Sequence, residues 1–248
     1  MRRVAAFTTA AVLAVTGLAA CGGDDEKDNT KTDAKALADQ ALAAMKKLSS
    51  INAEGTGADD EGNPTAISVC ASPSADALKG TVTQHGEKVD VVAVGGSQSM
   101  KGSPQAWVKL DGSEDNPRAL PAFKTVLGDN GEKYVQFKSD DQERLIDFFD
   151  GDTSGYTKGE TVDFHGDKAI PLTKESDKDG EKVKKTYYIA AKGTPYMLGS
   201  KEESVSSKEK EEAVFKRTSD KCDVTAPPAD KFIDEDAFQK QLKQAAGE

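Results

Sequence analysis

Histidine is almost absent from this chain of 248 residues, and both histidines, His85 and His165, stand before a glycine in a predicted turn. No cysteine or second histidine lies near either of them at the spacing of a metal site, so the sequence predicts exposed turn residues. The Gly-x-Ser-x-Gly and His-Glu-x-x-His motifs and the phosphate-binding glycine loop are also absent. We therefore expect no enzymatic activity, no metal and no cofactor.

Basic residues are too few to balance the acidic ones. The chain has 33 lysines and arginines against 43 aspartates and glutamates, and its formal net charge is −10. A surface of this kind argues against nucleic acid as a partner and against electrostatic docking on anionic lipid. With so many acidic residues, a pair of neighbouring carboxylates is no sign of catalysis.

Apolar residues are also scarce, at 36% of the chain. The core is therefore expected to be lean, with long polar loops. The length suits one domain or at most two small ones. No internal repeat of fixed period is present.

The N-terminus has the layout of a secretory signal. Arg2 and Arg3 precede an apolar run too short for a permanent transmembrane helix, and small residues follow it. The segment Leu18-Ala19-Ala20-Cys21-Gly22 resembles the bacterial lipobox. This resemblance implies that residues 1–20 are removed and that Cys21 carries a diacylglycerol thioether and usually an amide-linked acyl chain, enough for stable anchoring on the extracytoplasmic face of a membrane. The alternative is a plain secretory signal with an incidental Cys21.

The other two cysteines form an even pair once Cys21 is acylated. In an oxidising extracytoplasmic compartment, Cys70 and Cys222 are predicted to form a disulfide. It would close a loop of about 150 residues and contribute on the order of 4–5 kcal/mol in the chain-entropy model. Two separate buried thiols are the alternative.

The remaining chain is predicted to be a tether followed by one domain, residues 34–248. Residues 21–33 are the lipidated cysteine and a solvated tether, because Gly22–Thr32 contain no apolar residue. Three helices are predicted in the domain: an opening helix capped by Asp33, a middle helix from Ser139 to about Gly151, and a last helix from Asp234. The opening helix has an apolar face formed by Leu37, Ala41, Met45 and Leu48.

Strand patterns at hairpin spacing fill the regions between these helices. Antiparallel sheet covered by a few helices is the architecture they favour, since a doubly wound sheet would need a helix between most strands. The stretch containing Pro117 and Pro121 is predicted to be irregular. The predicted strands are Ala66–Cys70, Leu78–Gln84, Lys88–Val94, Ser97–Lys101, Gln105–Leu110, Lys133–Phe137, Thr161–Phe164, Lys168–Thr173, Lys182–Ala191, Pro195–Gly199 and Ala213–Thr218.

The order of several short segments, together with the lipobox, resembles the LolA/LppX-like lipoprotein family. The resemblance covers most of residues 34–235, although no single motif in it is specific. The matching segments after the opening helix are Trp107-Val108-Lys109, Gly131 to Val135, Val162 to Leu172, Tyr188-Ile189-Ala190, Gly193 to Leu198, Phe215 and Val224 to Pro228.

This resemblance implies an α+β fold in which a curved antiparallel sheet, a half-barrel, has its concave face covered by the three helices. It also implies a monomeric carrier that binds an acyl-chain lipid or another apolar ligand without catalysis. The alternatives are a structural or protein-interaction lipoprotein with a filled core, and a solute-binding lipoprotein, whose two-lobed α/β pattern is missing. The residues predicted to line the ligand cavity are Trp107, Val92, Tyr134, Leu145, Phe149 and Tyr188.

Overall fold

A computed structural model describes residues 27–58, 62–138, 152–178, 181–206, 210–218 and 220–247. These residues form an α+β fold with one large, open, curved sheet and four α-helices, which confirms the predicted fold class. None of the helices in this part of the chain is long and apolar enough to cross a membrane. The helices are α1 (Ala34–Lys46), α2 (Pro104–Asp111), α3 (Ala119–Leu127) and α4 (Glu235–Ala246).

The sheet contains thirteen strands among the described residues. Neighbouring strands are antiparallel, except that the last strand pairs in parallel with the sixth. The strands are β1 (Ile51–Ala58), β2 (Pro64–Ser72), β3 (Ala77–Gln84), β4 (Glu87–Val94), β5 (Ser97–Gly102), β6 (Tyr134–Lys138), β7 (Thr157–Lys158), β8 (Val162–Phe164), β9 (Asp167–Lys178), β10 (Glu181–Ala190), β11 (Met197–Ser204), β12 (Lys210–Arg217) and β13 (Phe232–Asp234). Their order is β13-β6-β5-β4-β3-β2-β1-β12-β11-β10-β9-β7, and β8 also pairs with β9.

The first and last helices begin where the sequence predicts. Asp33 accepts a hydrogen bond from the Ala36 amide, and Asp234 accepts one from the Ala237 amide. Each carboxylate satisfies an amide that has no partner within the helix.

The prediction of a strand over Gln105–Leu110 is wrong, because these residues lie in helix α2. The Ser103 hydroxyl accepts a hydrogen bond from the Ala106 amide, Pro104 occupies the first helical turn, and Gly112 ends the helix in the left-handed conformation. Proline and glycine are favoured at these positions of a helix. The segment Gly102-Ser103-Pro104 is therefore a helix start and not the predicted turn between strands.

Four further elements depart from the sequence prediction. The stretch around Pro121 is helix α3, and β1, β7 and β13 are strands where none was predicted. The predicted middle helix, residues 139–151, lies outside the described residues.

The two faces of the sheet are unlike. On β4, Val89, Val91 and Ala93 are buried, whereas Lys88 and Val92 point to the opposite face and are more exposed. We call the face that carries the buried residues the inner face, since the helices pack on it, and the other the outer face.

The described part of the predicted tether is held against the domain. Asn29 is fully buried, and its side-chain amide donates to the carbonyl oxygens of Ala190 at 2.9 Å and Gly193 at 3.0 Å. The Gly193 amide donates in return to the Lys27 carbonyl at 2.9 Å. Polar composition predicted a solvated segment, but the Nδ2 group of Asn29 pairs with backbone carbonyls, while its buried Oδ1 has no hydrogen-bond partner among the described residues.

The predicted disulfide between Cys70 and Cys222 is present in the structure, with Cα atoms 5.8 Å apart. It lies on the outer face, where residues 220–231, which we call the strap, carry the chain from β12 to β13. Lys79 on β3 also binds the strap by donating a hydrogen bond to the Asp223 carbonyl. The disulfide therefore fastens the connection that leads to β13 and α4.

Candidate functional site

The apolar core on the inner face is divided into two clusters. The first lies under α1 and includes Leu37, Met45, Ile170, Tyr187 and Ile189. The second lies under the other three helices, and it includes Val89, Met100, Trp107, Phe123, Val135 and Phe238. Each helical group thus covers a different region of one continuous sheet.

Between the two clusters, the inner face of β1, β2, β3 and β12 forms an apolar surface that we call the central trough. The side chains of its floor are half-buried, and Leu78 packs against both clusters. None of these side chains is charged. The trough is defined by Ile67, Val69, Leu78, Val82 and Phe215, together with Gly55 and Gly80.

Register explains why these residues share one surface. Val69 stands opposite Ala53 on β1 and Gly80 on β3. Phe215 on β12 stands opposite Ala53, which places it in the same row. Residues directly opposite one another point to the same face of a sheet, so this row crosses four strands without a polar side chain.

At two positions in the floor of the trough, a glycine lies beneath a branched side chain of the neighbouring strand. A Cβ on Gly55 would stand 2.6 Å from Cγ2 of Ile67, and a Cβ on Gly80 would stand 2.7 Å from Cγ1 of Val69. The side chains of Ile67 and Val69 therefore occupy the space above these glycines. Neighbouring branched side chains cover positions that would otherwise interrupt the apolar surface.

Polar residues stand beyond the apolar rows at the β3–β4 turn. Lys109 on α2 forms an ion pair with Glu87 at 3.0 Å and donates a hydrogen bond to the His85 carbonyl at 3.1 Å. The register of β2 and β3, continued by one residue, sets Thr65 opposite Gln84. The apolar surface thus ends at a polar border on this side.

Trp107 lies on the inner face, inside the second cluster. Its side chain is 6% exposed, and its ring centroid lies 5.3 Å from that of Phe238 and 6.3 Å from that of Phe137. Its Nε1 has no hydrogen-bond partner among the described residues. Trp107 therefore packs in the core beside the trough.

Val92 and Tyr134 lie on the outer face, opposite to Trp107. Both residues line a groove of about 540 Å³ that also includes Asp90 and Cys70. The ring of Tyr134 contacts Phe232, with 6.3 Å between the centroids. These two predicted residues therefore share a site, but it is separated from the helices by the sheet.

Tyr188 also lies on the outer face, where its ring stacks on Phe164 with the centroids 4.0 Å apart. Cys21, Leu145 and Phe149 lie outside the described residues. The four predicted lining residues that the structure describes are thus divided between the two faces, and they do not meet in one cavity. The trough could have been found from the pairing of Gly55 with Ile67 and of Gly80 with Val69. These pairs are recognised only when the strand register is known.

The titratable groups with shifted pKa values are on the surface, away from the trough. Hydrogen bonds from Lys174 and then from Ser154 hold the pKa of Asp152 well below its usual range. Partial desolvation opposes a similar change at Asp39, but hydrogen bonds from Lys35 and Thr153 lower the pKa of that carboxyl. In the described part of the chain, no group of three His, Cys, Asp or Glu residues could hold a metal ion.

Comparisons with known proteins give structural likenesses only. No protein-family model matches the chain, and no curated protein sequence matches it significantly. An uncharacterized conserved protein from Thermus thermophilus aligns with a TM-score of 0.49 and 14% identity over 82% of this chain and 99% of its own. LprF from Mycobacterium bovis aligns with a TM-score of 0.47 and 11% identity over 79% of this chain and 96% of its own. The lipoprotein LppX from Mycobacterium tuberculosis aligns with a TM-score of 0.47 and 14% identity over 77% of this chain and 97% of its own.

Proposed function

We propose that this chain is a lipid-anchored extracytoplasmic protein that binds the acyl chain of a lipid in the central trough, without catalysis. The observation that carries this proposal is the row of uncharged, half-buried side chains between two separately packed clusters. An ordinary core would join the two clusters into one. A half-buried apolar floor instead leaves surface that an apolar ligand can cover.

The energetics of such a ligand are sufficient. Each methylene removed from water contributes about 0.8 kcal/mol, so eight methylenes of an acyl chain would contribute roughly 6 kcal/mol before the cost of association. Hydrophobic attraction is non-directional, which suits a floor that offers no hydrogen-bonding side chain. The trough would therefore select lipids by their apolar acyl chain and not by a particular headgroup.

Anchoring through Cys21 is supported by the lipobox-like segment Leu18-Ala19-Ala20-Cys21-Gly22. Six residues after Cys21, the Lys27 carbonyl accepts a hydrogen bond from the Gly193 amide in the loop between β10 and β11. Because only a few residues separate Cys21 from Lys27, an acylated Cys21 would keep this loop near the membrane surface. Labelling with a radioactive fatty acid tests the anchor: the label and membrane retention should both be lost in Cys21→Ser, and retention of both would contradict it.

Lipid binding is tested on a protein that begins at residue 21, carries Cys21→Ser and is exported behind an ordinary secretory signal. Native mass spectrometry and analysis of the organic extract should show a co-purifying lipid. Val69→Trp places a large ring in the trough, whereas Ser68→Trp places the same ring on the outer face of the same strand. We expect loss of the lipid from the first variant and retention in the second.

Two results would contradict the proposal. Equal lipid content in both tryptophan variants, with circular dichroism matching the parent, would remove the trough from the binding site. A protein free of lipid after export, with no uptake of a fluorescent fatty acid, would favour the alternative of a filled core and a protein-interaction role. A mass two hydrogens below that of the reduced protein would show that the disulfide is formed in the sample.

A further inference from the structure

The outer face carries a second concave surface, separated from the central trough by the thickness of the sheet. It is the groove of about 540 Å³ that Val92 and Tyr134 line, and we call it the outer groove. It extends across the strands from β1 to β4, and Tyr134 of β6 also lines it. The strap stands beside it, fastened through Cys222 to Cys70.

A row of hydrogen-bonding side chains forms the floor of the outer groove. Ser68 stands opposite Glu54 on one side and Thr81 on the other, and Thr81 stands opposite Asp90. Neighbouring strands are about 4.8 Å apart, so the row from Glu54 to Asp90 is roughly 14 Å long. It presents carboxylate, hydroxyl, hydroxyl and carboxylate in order.

Three members of this row have hydrogen-bonding capacity to spare. The side chains of Ser68, Thr81 and Asp90 form no hydrogen bond or ion pair among the described residues, whereas Glu54 pairs with Lys216 at 3.2 Å. Val92 and the half-buried ring of Tyr134 add apolar contact area next to the row. Polar groups that converge beside an apolar surface are typical of a small-molecule site.

The outer groove and its border carry charges of both signs. Glu54 is paired with Lys216, and the other charged groups are Asp90, Lys79, which binds the Asp223 carbonyl, and Lys101, whose Nζ lies 5.4 Å from the centre of the Tyr134 ring. The carboxylates of Glu54 and Asp90 would repel a phosphate group, and the ammonium groups of the lysines would repel a polyamine. Neither strongly charged class is therefore favoured over a neutral ligand.

Two other ligand classes fit poorly. An acyl chain would bury Glu54 and Asp90 without replacing their contacts with water, which is costly. An extended peptide binds by adding a strand to a free sheet edge, but β1 to β4 are each paired on both sides. What remains is a neutral ligand that has many hydroxyl groups and apolar C–H faces.

We propose that the outer groove binds a neutral oligosaccharide. Sugar hydroxyls would donate to the carboxylates of Asp90 and Glu54 and exchange hydrogen bonds with Ser68 and Thr81. The C–H faces of the sugar rings would pack on Val92 and on the ring of Tyr134. The strap, held by the disulfide and by Lys79, keeps this surface in place before the ligand arrives.

A glycan array of neutral and anionic oligosaccharides tests this proposal on the chain from residue 21 carrying Cys21→Ser. We expect binding of one or more neutral oligosaccharides, followed by titration of each hit by NMR. Chemical-shift changes should concentrate at Ser68, Thr81 and Asp90. Asp90→Ala and Tyr134→Ala should each raise the Kd at least tenfold.

The matched control is Thr83→Val, because Thr83 lies on the outer face of β3 two residues beyond Thr81 and outside the groove. It should leave the Kd unchanged. The proposal is overturned if no neutral glycan binds, if only anionic glycans bind, or if Asp90→Ala and Thr83→Val have equal Kd values. Spectra of each variant, compared with the parent, show whether a lost affinity comes from lost folding.

Discussion

The ring of Phe164 lies against Gly199, at a place where any larger residue would collide with it. A Cβ on Gly199 would stand 2.5 Å and 2.6 Å from two ring carbons of Phe164. Phe164 is 7% exposed, and its ring also stacks on Tyr188. This contact holds β8, a strand of only three residues, against the outer face of the sheet.

Substitution of Gly199 by alanine is expected to destabilise the fold by about 1–3 kcal/mol, the usual cost of overpacking. The added methyl would also meet the Ala213 carbonyl, so movement of Phe164 alone would not relieve the clash. Urea unfolding monitored by circular dichroism measures the effect. Ser200→Ala, one residue along the same strand, is the control and should change the free energy of unfolding by less than about 0.5 kcal/mol. Equal values for the two variants would contradict the close packing of Phe164.

Removal of the disulfide with Cys70→Ser and Cys222→Ser together should lower the free energy of unfolding by at most about 4–5 kcal/mol. The bridge closes a long loop and also fastens the strap, so hydrogen exchange should increase in residues 220–231. Lys79→Met removes the other contact of the strap while keeping the bridge, and a much smaller loss is expected. A double serine variant as stable as the parent would show that packing of β13 and α4 alone holds the strap.

The parts of the fold that local patterns govern could be predicted from the sequence. Asp33 and Asp234 lie at helix starts, and their capping chemistry is local. Residues Gln105–Leu110 misled the prediction because Trp107 and Val108 are favoured in strands and Gly102-Ser103-Pro104 has the composition of a turn. Their helical state depends on Ser103 and on burial of Trp107, so tertiary packing overrides the local pattern.

The candidate site was harder to predict, since period-two alternation does not tell which face of a sheet is covered. Val92 and Trp107 were placed in one cavity, yet the strand register puts Val92 on the outer face with Tyr134. Strand β1 was missed because Gly55 and Gly57 dilute its apolar pattern. Those glycines have meaning only through Ile67 and other cross-strand neighbours, which are distant in sequence.

Asn29→Ala should destabilise the protein by about 1–3 kcal/mol, because the carbonyl oxygens of Ala190 and Gly193 would lose their donor. Hydrogen exchange at the Gly193 amide should increase in the same variant, since its acceptor Lys27 would no longer be held. Lys31→Ala, in the same short helical turn but exposed, is the matched control. An unchanged Gly193 exchange rate in Asn29→Ala would mean that backbone pairing alone fixes this segment.

The Asp152–Lys174 pair predicts a small loss of stability in acid. Because the pKa of Asp152 is lowered in the folded protein, its contribution is present above the unfolded pKa of about 3.9 and is lost as the pH falls towards the folded value. The Asp152 side chain is 56% exposed, so this contribution is expected to be below about 1 kcal/mol. NMR titration of the carboxyl carbon in the parent should give a pKa below that found in Lys174→Met.

Urea unfolding at pH 7 and pH 2 completes that test. Asp152→Asn should be less stable than the parent at pH 7 and should approach it at pH 2. Asp115→Asn, at an exposed position, should match the parent at both values. A difference between Asp152→Asn and the parent that grows as the pH falls would have the wrong sign for a lowered pKa.

Trp107→Phe is expected to cost less than about 1.5 kcal/mol, whereas Trp107→Ala should cost about 3–5 kcal/mol. Phenylalanine keeps an aromatic ring between Phe137 and Phe238, and it removes a buried Nε1 that has no acceptor among the described residues. A buried donor without a partner is itself destabilising, so its removal offsets part of the lost packing. The alanine variant leaves a cavity where α2 meets α4.

Far-UV circular dichroism must follow unfolding in these variants, because Trp107 is the single tryptophan of the chain and its fluorescence is lost. Phe238→Leu is the matched control, since it also shrinks a buried ring but releases no polar group. It should therefore cost more than Trp107→Phe. If Trp107→Phe proves as destabilising as Trp107→Ala, the indole Nε1 contributes to stability, and the cost of an unpaired donor would not apply at this position.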